Sequence, residues 1–144
     1  MPKKSRRTTK RSSKKKTPRK HKFTRGLDGW ITHTELASSD PAATKAWCAA
    51  ALGWKFKPSS PMPGGGEYHL FVYSNKGGGG IRRTESTETP GSVPYIHVAD
   101  ARVAFDKALS AGARPIAAPE RVMEGVTIAV VRAPGGVIIG FSGP

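Results

Sequence analysis

The sequence predicts an α+β fold of two βαβββ modules built on a shared sheet, preceded by a basic tail. Three observations predict it. One order of elements recurs with a period of about 60 residues. Each period opens on a β-branched or apolar strand followed by an aspartate-capped helix. The positive charge is concentrated before the first strand: residues 1–25 hold 13 of the 24 Lys and Arg and none of the 10 acids.

In the first module Trp30–Leu36 alternates and is β-branched, a strand. Ser39 or Asp40 caps the next helix, Pro41 suits its first turn, and Gly53 stops it after about Leu52. Ala43, Trp47, Ala50 and Ala51 form its expected apolar face. Trp54–Phe56 reads as a short strand, Pro58–Gly66 as a loop and Glu67–Tyr73 as a strand. Ser74–Gly80 is a Gly-rich turn and Gly79–Arg83 a closing strand, with Arg83–Ser92 a polar linker.

The second module repeats the order. Val93–Ala99 is a strand, and Asp100 caps a helix with Val103, Ala104, Ala108 and Leu109 at helical spacing, ended by Gly112. Ala113–Ala117 is a short strand, with a loop around Pro119. Gly125–Val131 and Val137–Phe141 are strands joined by the Pro134-Gly135-Gly136 turn. Asp40 falls on Asp100, Gly53 on Gly112 with one insertion, and Gly77-Gly78 on Gly135-Gly136. The modules pair either within one chain or by exchange between two.

Composition excludes several classes. The single cysteine, Cys48, rules out an intramolecular disulfide framework and a Cys-based zinc cluster, and mid-helix beside Trp47 it reads as a small core residue. No apolar run approaches a membrane span, and the N-terminus lacks the apolar stretch of a secretory signal. An intracellular location, cytoplasmic or nucleic-acid-associated and without membrane contact, is expected.

Residues 1–25 are low in complexity and too polar to offset their ordering entropy, so they read as a disordered tail, with residues 26–144 the folded domain. Such a charge block contacts polyanions, and Lys14, Lys15, Lys16, Arg19 and Lys20 are the candidate nonspecific nucleic-acid contacts. Thr17-Pro18-Arg19-Lys20 resembles one element of a linker-histone tail. A nuclear address, an organelle-targeting segment and a ribosome or RNA tether are the alternatives.

The phrases "HTELASSDPAATKAW", "LGWKF", "GGGGIRRTE", "PYIHVADARVAFDKALSAGA" and "APGGVIIGF", over roughly residues 28–143, resemble the vicinal oxygen chelate superfamily. That superfamily holds glyoxalase I, bleomycin- and fosfomycin-resistance proteins and extradiol dioxygenases; the likeness is to its single-domain glyoxalase-like branch. The resemblance implies modules of about 28–84 and 93–143, curled around a shared cavity. It also implies a divalent metal held by His, Glu or Gln on the first and last strands of each module, binding two vicinal substrate oxygens.

Carried onto this chain, His33 matches the first-strand ligand, seven residues before Asp40. Alternation puts Ile31, His33 and Glu35 on one face, which makes Glu35 a candidate general base or substitute ligand. The other three positions offer Gly80, Ile81 or Arg82; Val93 or Pro94; and Gly140. One ligand in four does not build a metal site, so no cofactor is expected and His33 is a metal ligand only if a metal is present. His69 and His97 are candidate substitutes, or sheet histidines bonded to backbone. Arg82 is a candidate clamp for an anionic substrate, or a solvated edge residue beside Arg83. Tyr68 or Tyr73 would line the cavity, or belong to the core. The glycines at 64–66 and 77–80 lack a phosphate-loop pattern and read as rim loops or a lid.

Three functions follow. One is an enzyme, a lyase or isomerase of glyoxalase type, with His33 and Glu35 in the cavity. The second is a resistance-type protein that sequesters a small molecule without chemistry. The third is a nucleic-acid-associated protein whose body mainly dimerises. A homodimer is expected in each. The combined expectation is a glyoxalase-like domain with a degenerate metal site, acting on or binding a small molecule, carried by a polyanion-binding tail.

Overall fold

The computed structural model describes residues 21–74 and 77–144. The tail lysines and arginines named above, and Asn75 and Lys76 of the expected turn, lie outside the described residues. In chain order the elements are β1 (Ile31–Ser38), α1 (Pro41–Leu52), β2 (Lys55–Phe56), β3 (Ser60–Pro61), β4 (Glu67–Val72) and β5 (Gly78–Arg83). There follow β6 (Gly91–His97), α2 (Ala101–Ser110), β7 (Arg114–Met123), β8 (Val126–Arg132) and β9 (Ile138–Gly143).

Both helices start as expected. Asp40 accepts from the Ala43 N–H at 3.0 Å, with Pro41 in the first turn and Gly53 left-handed at the end (φ 66°). Asp100 accepts from the N–H groups of Arg102 and Val103, satisfying two of the donors that a helix start leaves open.

The strands form one curled, unclosed sheet in the order β2-β4-β5-β1-β6-β9-β8-β7, with β3 paired to β4. In each half the first strand runs parallel to the last: β1 with β5, β6 with β9. The halves join edge to edge through antiparallel β1 and β6, with His33 opposite Tyr95 and Glu35 opposite Val93. The chain's own modules therefore complete the shared sheet.

Both cores lie on the outer face, under the helices. Cys48, Phe71 and Ile81 are buried with Leu36, Trp54 and Phe56 packed against them; Phe105, Ala129 and Val131 form the counterpart under α2. Leu36 points outward into the first core, so His33 and Glu35, of opposite parity on β1, face the inner, concave side.

Four expectations are corrected. Helix α1 does not pack through Ala43, Trp47, Ala50 and Ala51, which are exposed; Pro41 and Cys48 are its buried residues. A helix that is apolar nearly all round gives no periodicity to choose between faces. The expected loop around Pro119 is part of β7, which runs for 10 residues to Met123. It is the sheet's last strand, pairs only with β8 and shifts register three times, which is where a strand tolerates prolines. Finally, Ser60–Pro61 pairs within the expected Pro58–Gly66 loop, and β6 begins at Gly91, inside the expected linker.

Candidate functional site

The inner face of the first module carries a continuous polar network. His33 Nε2 lies 2.8 Å from the Tyr68 hydroxyl. That hydroxyl lies 3.4 Å from Glu35 Oε2, and its one proton serves one of these two partners. Arg82 Nε donates to Glu35 Oε1 at 2.7 Å. Its Nη1 and Nη2 donate to the two oxygens of Glu88 at 2.6 and 2.7 Å, a bidentate pair. Glu88 also accepts from the Glu85 N–H, which ties it to the segment between β5 and β6. The side chains of Arg82, Glu35 and Glu88 are only 13%, 15% and 20% exposed. Among the described residues no buried side-chain polar atom lacks a partner.

The register explains why four of these five meet; Glu88 reaches them from the segment between β5 and β6. Glu35 is opposite Gly80 and Ala37 opposite Arg82, so Arg82 shares the inner face with Glu35. On β4, Leu70 is opposite Gly80, which brings Tyr68 beside the same glycine. A Cβ placed on Gly80 would overlap the Tyr68 ring. The second module repeats the arrangement: Tyr95 is opposite Gly140, and a Cβ there would overlap the Tyr95 ring. Tyr95 also meets His33 edge-on, with ring centroids 5.7 Å apart. A glycine in a strand commonly marks the close approach of another group, and here that group is a tyrosine ring in both modules.

Burial pushes the His33 imidazole below its ordinary value, against an upward pull from Glu35. Burial and then the Glu35 charge push the phenols of Tyr68 and Tyr95 well above theirs. Hydrogen bonds from Arg82 hold the Glu88 carboxyl below its usual range. At neutral pH the site thus sets a neutral imidazole and two protonated phenols beside the ion pairs that Arg82 makes with Glu35 and Glu88.

The expected site residues divide accordingly. His33, Glu35, Tyr68 and Arg82 come together. Arg82 is not a solvated edge residue, and its guanidinium is taken up by two carboxylates. Arg83 turns away, donating to the Ser39 carbonyl. His69 is buried on the other parity of β4, with its Nδ1 2.7 Å from Ser59 Oγ. His97 Nε2 accepts from the Thr24 N–H, and Phe23 stacks on the His97 ring at 5.1 Å. Tyr73 belongs with Trp54 and Phe71 in the outer aromatic cluster.

Two members escaped the sequence reading. Tyr95 stands five residues before Asp100 as Glu35 stands five before Asp40, so the repeat itself pointed to it. Glu88 carried no signal beyond being an acid in a polar segment.

A family model, the Glyoxalase/Bleomycin resistance protein/Dioxygenase superfamily, matches residues 30–141. The chain belongs to that superfamily. Methylmalonyl-CoA epimerase from Mycobacterium tuberculosis is similar in structure, with a TM-score of 0.63 at 19% identity, covering 86% of this chain and 93% of that one. A hypothetical protein from Bacillus halodurans C-125 gives 0.62 at 16% identity, covering 78% and 91%. A mutant 4-hydroxymandelate synthase from Streptomyces coelicolor gives 0.58 at 19%, covering 80% of this chain and 38% of that one. At these identities the likeness is one of fold. No curated protein matches the chain.

The divalent metal that the superfamily implies does not fit the residues present. Gly80 and Gly140 offer no ligand atom, and tyrosine rings cover both. The His33 and Glu35 atoms are engaged by Tyr68 and Arg82. Among the described residues no three His, Cys, Asp or Glu side chains cluster as a metal site would require. Two pockets lie off the concave network, one between α2 and the sheet and one beside Gly64–Gly66.

Proposed function

We propose that this chain is a glyoxalase-superfamily protein that binds a small molecule on its concave face without a metal, and that its basic tail holds it to nucleic acid. The carrying observation is the pair of tyrosine-covered glycines at positions where the superfamily places ligands. The network is saturated and sums to one guanidinium against two carboxylates. It therefore favours an uncharged or cationic ligand over an anion. A ligand would hydrogen-bond to His33 or Tyr68 by replacing the bond these two make to each other, and the Tyr95 ring is placed to pack against it. Arg82, rather than clamping a substrate, orients Glu35.

Sequestration is favoured over catalysis, because the one candidate general base, Glu35, accepts a charge-assisted hydrogen bond from Arg82. The test is metal content and thermal shift of the full chain with Zn, Ni, Mn, Fe(II) and Mg, beside the His33→Ala variant. The reading expects no bound metal and no shift. A near-stoichiometric metal that His33→Ala loses would overturn it. A screen of uncharged and cationic organic molecules follows, in which Tyr68→Phe should weaken any hit by about tenfold, one hydrogen bond's worth.

A further inference from the structure

The internal repeat exposes a second site, on the opposite face of the sheet. Strand pairing aligns the modules with an offset of 60: Leu70 faces Gly80 as Val130 faces Gly140. The outer core of the first module can therefore be compared position by position with that of the second. In the first, Trp54 stacks on Phe71 at 4.2 Å, with Tyr73 and Phe56 each about 6 Å from Phe71. By that offset, and with the one-residue insertion before Gly53, the counterparts are Ala113, Val131, Ala133 and Pro115. None of these four positions is aromatic in the second module, whose outer core holds Phe105 and Phe141 at other positions.

The missing volume is only partly refilled. Ile139 stands where the first module has Gly79 and Phe141 where it has Ile81, and with Phe105 from α2 they return much of the bulk. A pocket of about 280 Å³ remains between the C-terminal end of α2 and the sheet, lined by Ala108, Ala111, Ala113, Val131, Ala133 and Ile139 among others. About 150 Å³ of apolar cavity suffices to hold a benzene ring. The lining is almost wholly apolar, so it offers nothing to a charge or to a group that needs hydrogen bonds.

We propose that this pocket is a binding site for a planar, uncharged aromatic group, of the size and shape of the Trp54 indole that fills the equivalent place in the first module. Three points on the structure fix that class. The lining excludes charge, the volume admits a bicyclic ring, and the repeat shows an indole in the same architecture. The site is independent of the concave network, because the sheet lies between them.

The test is a titration of the full chain with indole, followed by NMR of alanine methyl groups. The methyls of Ala108, Ala113 and Ala133 should shift and saturate, while that of Ala37, on the inner face, should not move. Ala113→Trp supplies the missing ring from within and should abolish the response; Ala133→Tyr narrows the same space and should weaken it at least about tenfold. Unmoved pocket methyls would overturn the proposal. So would an undiminished response in both variants. Failure of both variants to fold would show that the space cannot take a ring, and would overturn it equally. A failed concave-face ligand screen has no bearing on these shifts.

Discussion

His33 shows how one residue's surroundings set its chemistry. Burial lowers its pKa from the ordinary 6.5, so the folded protein resists protonating it. An unfolded chain then binds the extra proton more readily, and stability falls as pH drops below about 6.5 toward the lowered folded value. Glu88 acts in the same direction at lower pH. Its folded pKa lies below 4.5, so its contribution is present above that value and is lost as pH falls through the folded one. Urea midpoints measured from pH 8 to pH 2 should therefore decline with acid in two steps. In His33→Gln the upper step should disappear and the lower one persist. An unchanged upper step would assign it to another group.

At the scale of elements, two tryptophans seven residues apart have opposite environments. Trp47 on α1 is 61% exposed, whereas Trp54, just past the helix, stacks on Phe71 in the core. Chemical denaturation should find Trp47→Ala within about 0.5 kcal/mol of wild type, as for surface substitutions. Trp54→Ala should cost about 3–5 kcal/mol, as for an aromatic deleted from a packed cluster. Equal costs would mean that α1 packs through the face its sequence suggested. The helix's helical nature, its Asp40 cap and its Gly53 stop were legible because they are local chemistry. Its orientation was not, since Ala-rich turns on every side leave the choice to the sheet beneath. The course of β7 through Pro115 and Pro119 was equally hidden, because an edge position exists only once the strand order is known.

The molecule as a whole joins two parts of different charge. Residues 26–144 hold 11 basic and 10 acidic residues, so nearly all of the +14 net charge resides in residues 1–25. Affinity for a labelled DNA duplex should fall by about 10³ or more between 50 and 200 mM salt if roughly six or more phosphates are neutralised. Deleting residues 1–20 should remove that affinity and leave the melting temperature of the folded part unchanged. Salt-independent binding, or binding retained after the deletion, would place the contact on the folded part.

The repeat, the helix caps, the strand periodicities and the inward face of His33 and Glu35 could be read from sequence, because each depends on residues close together in the chain. The gathering of His33, Tyr68, Arg82 and Glu88 could not. For His33, Tyr68 and Arg82 it depends on which strands lie side by side, and a register one residue away would turn each to the opposite face; Glu88 reaches Arg82 from the segment between β5 and β6. Gly140, and Gly80 as one of three candidates on its strand, read as missing ligands in one dimension. In three they are the close approaches that admit Tyr68 and Tyr95, since only a residue without a Cβ leaves room for a ring lying across the neighbouring strand.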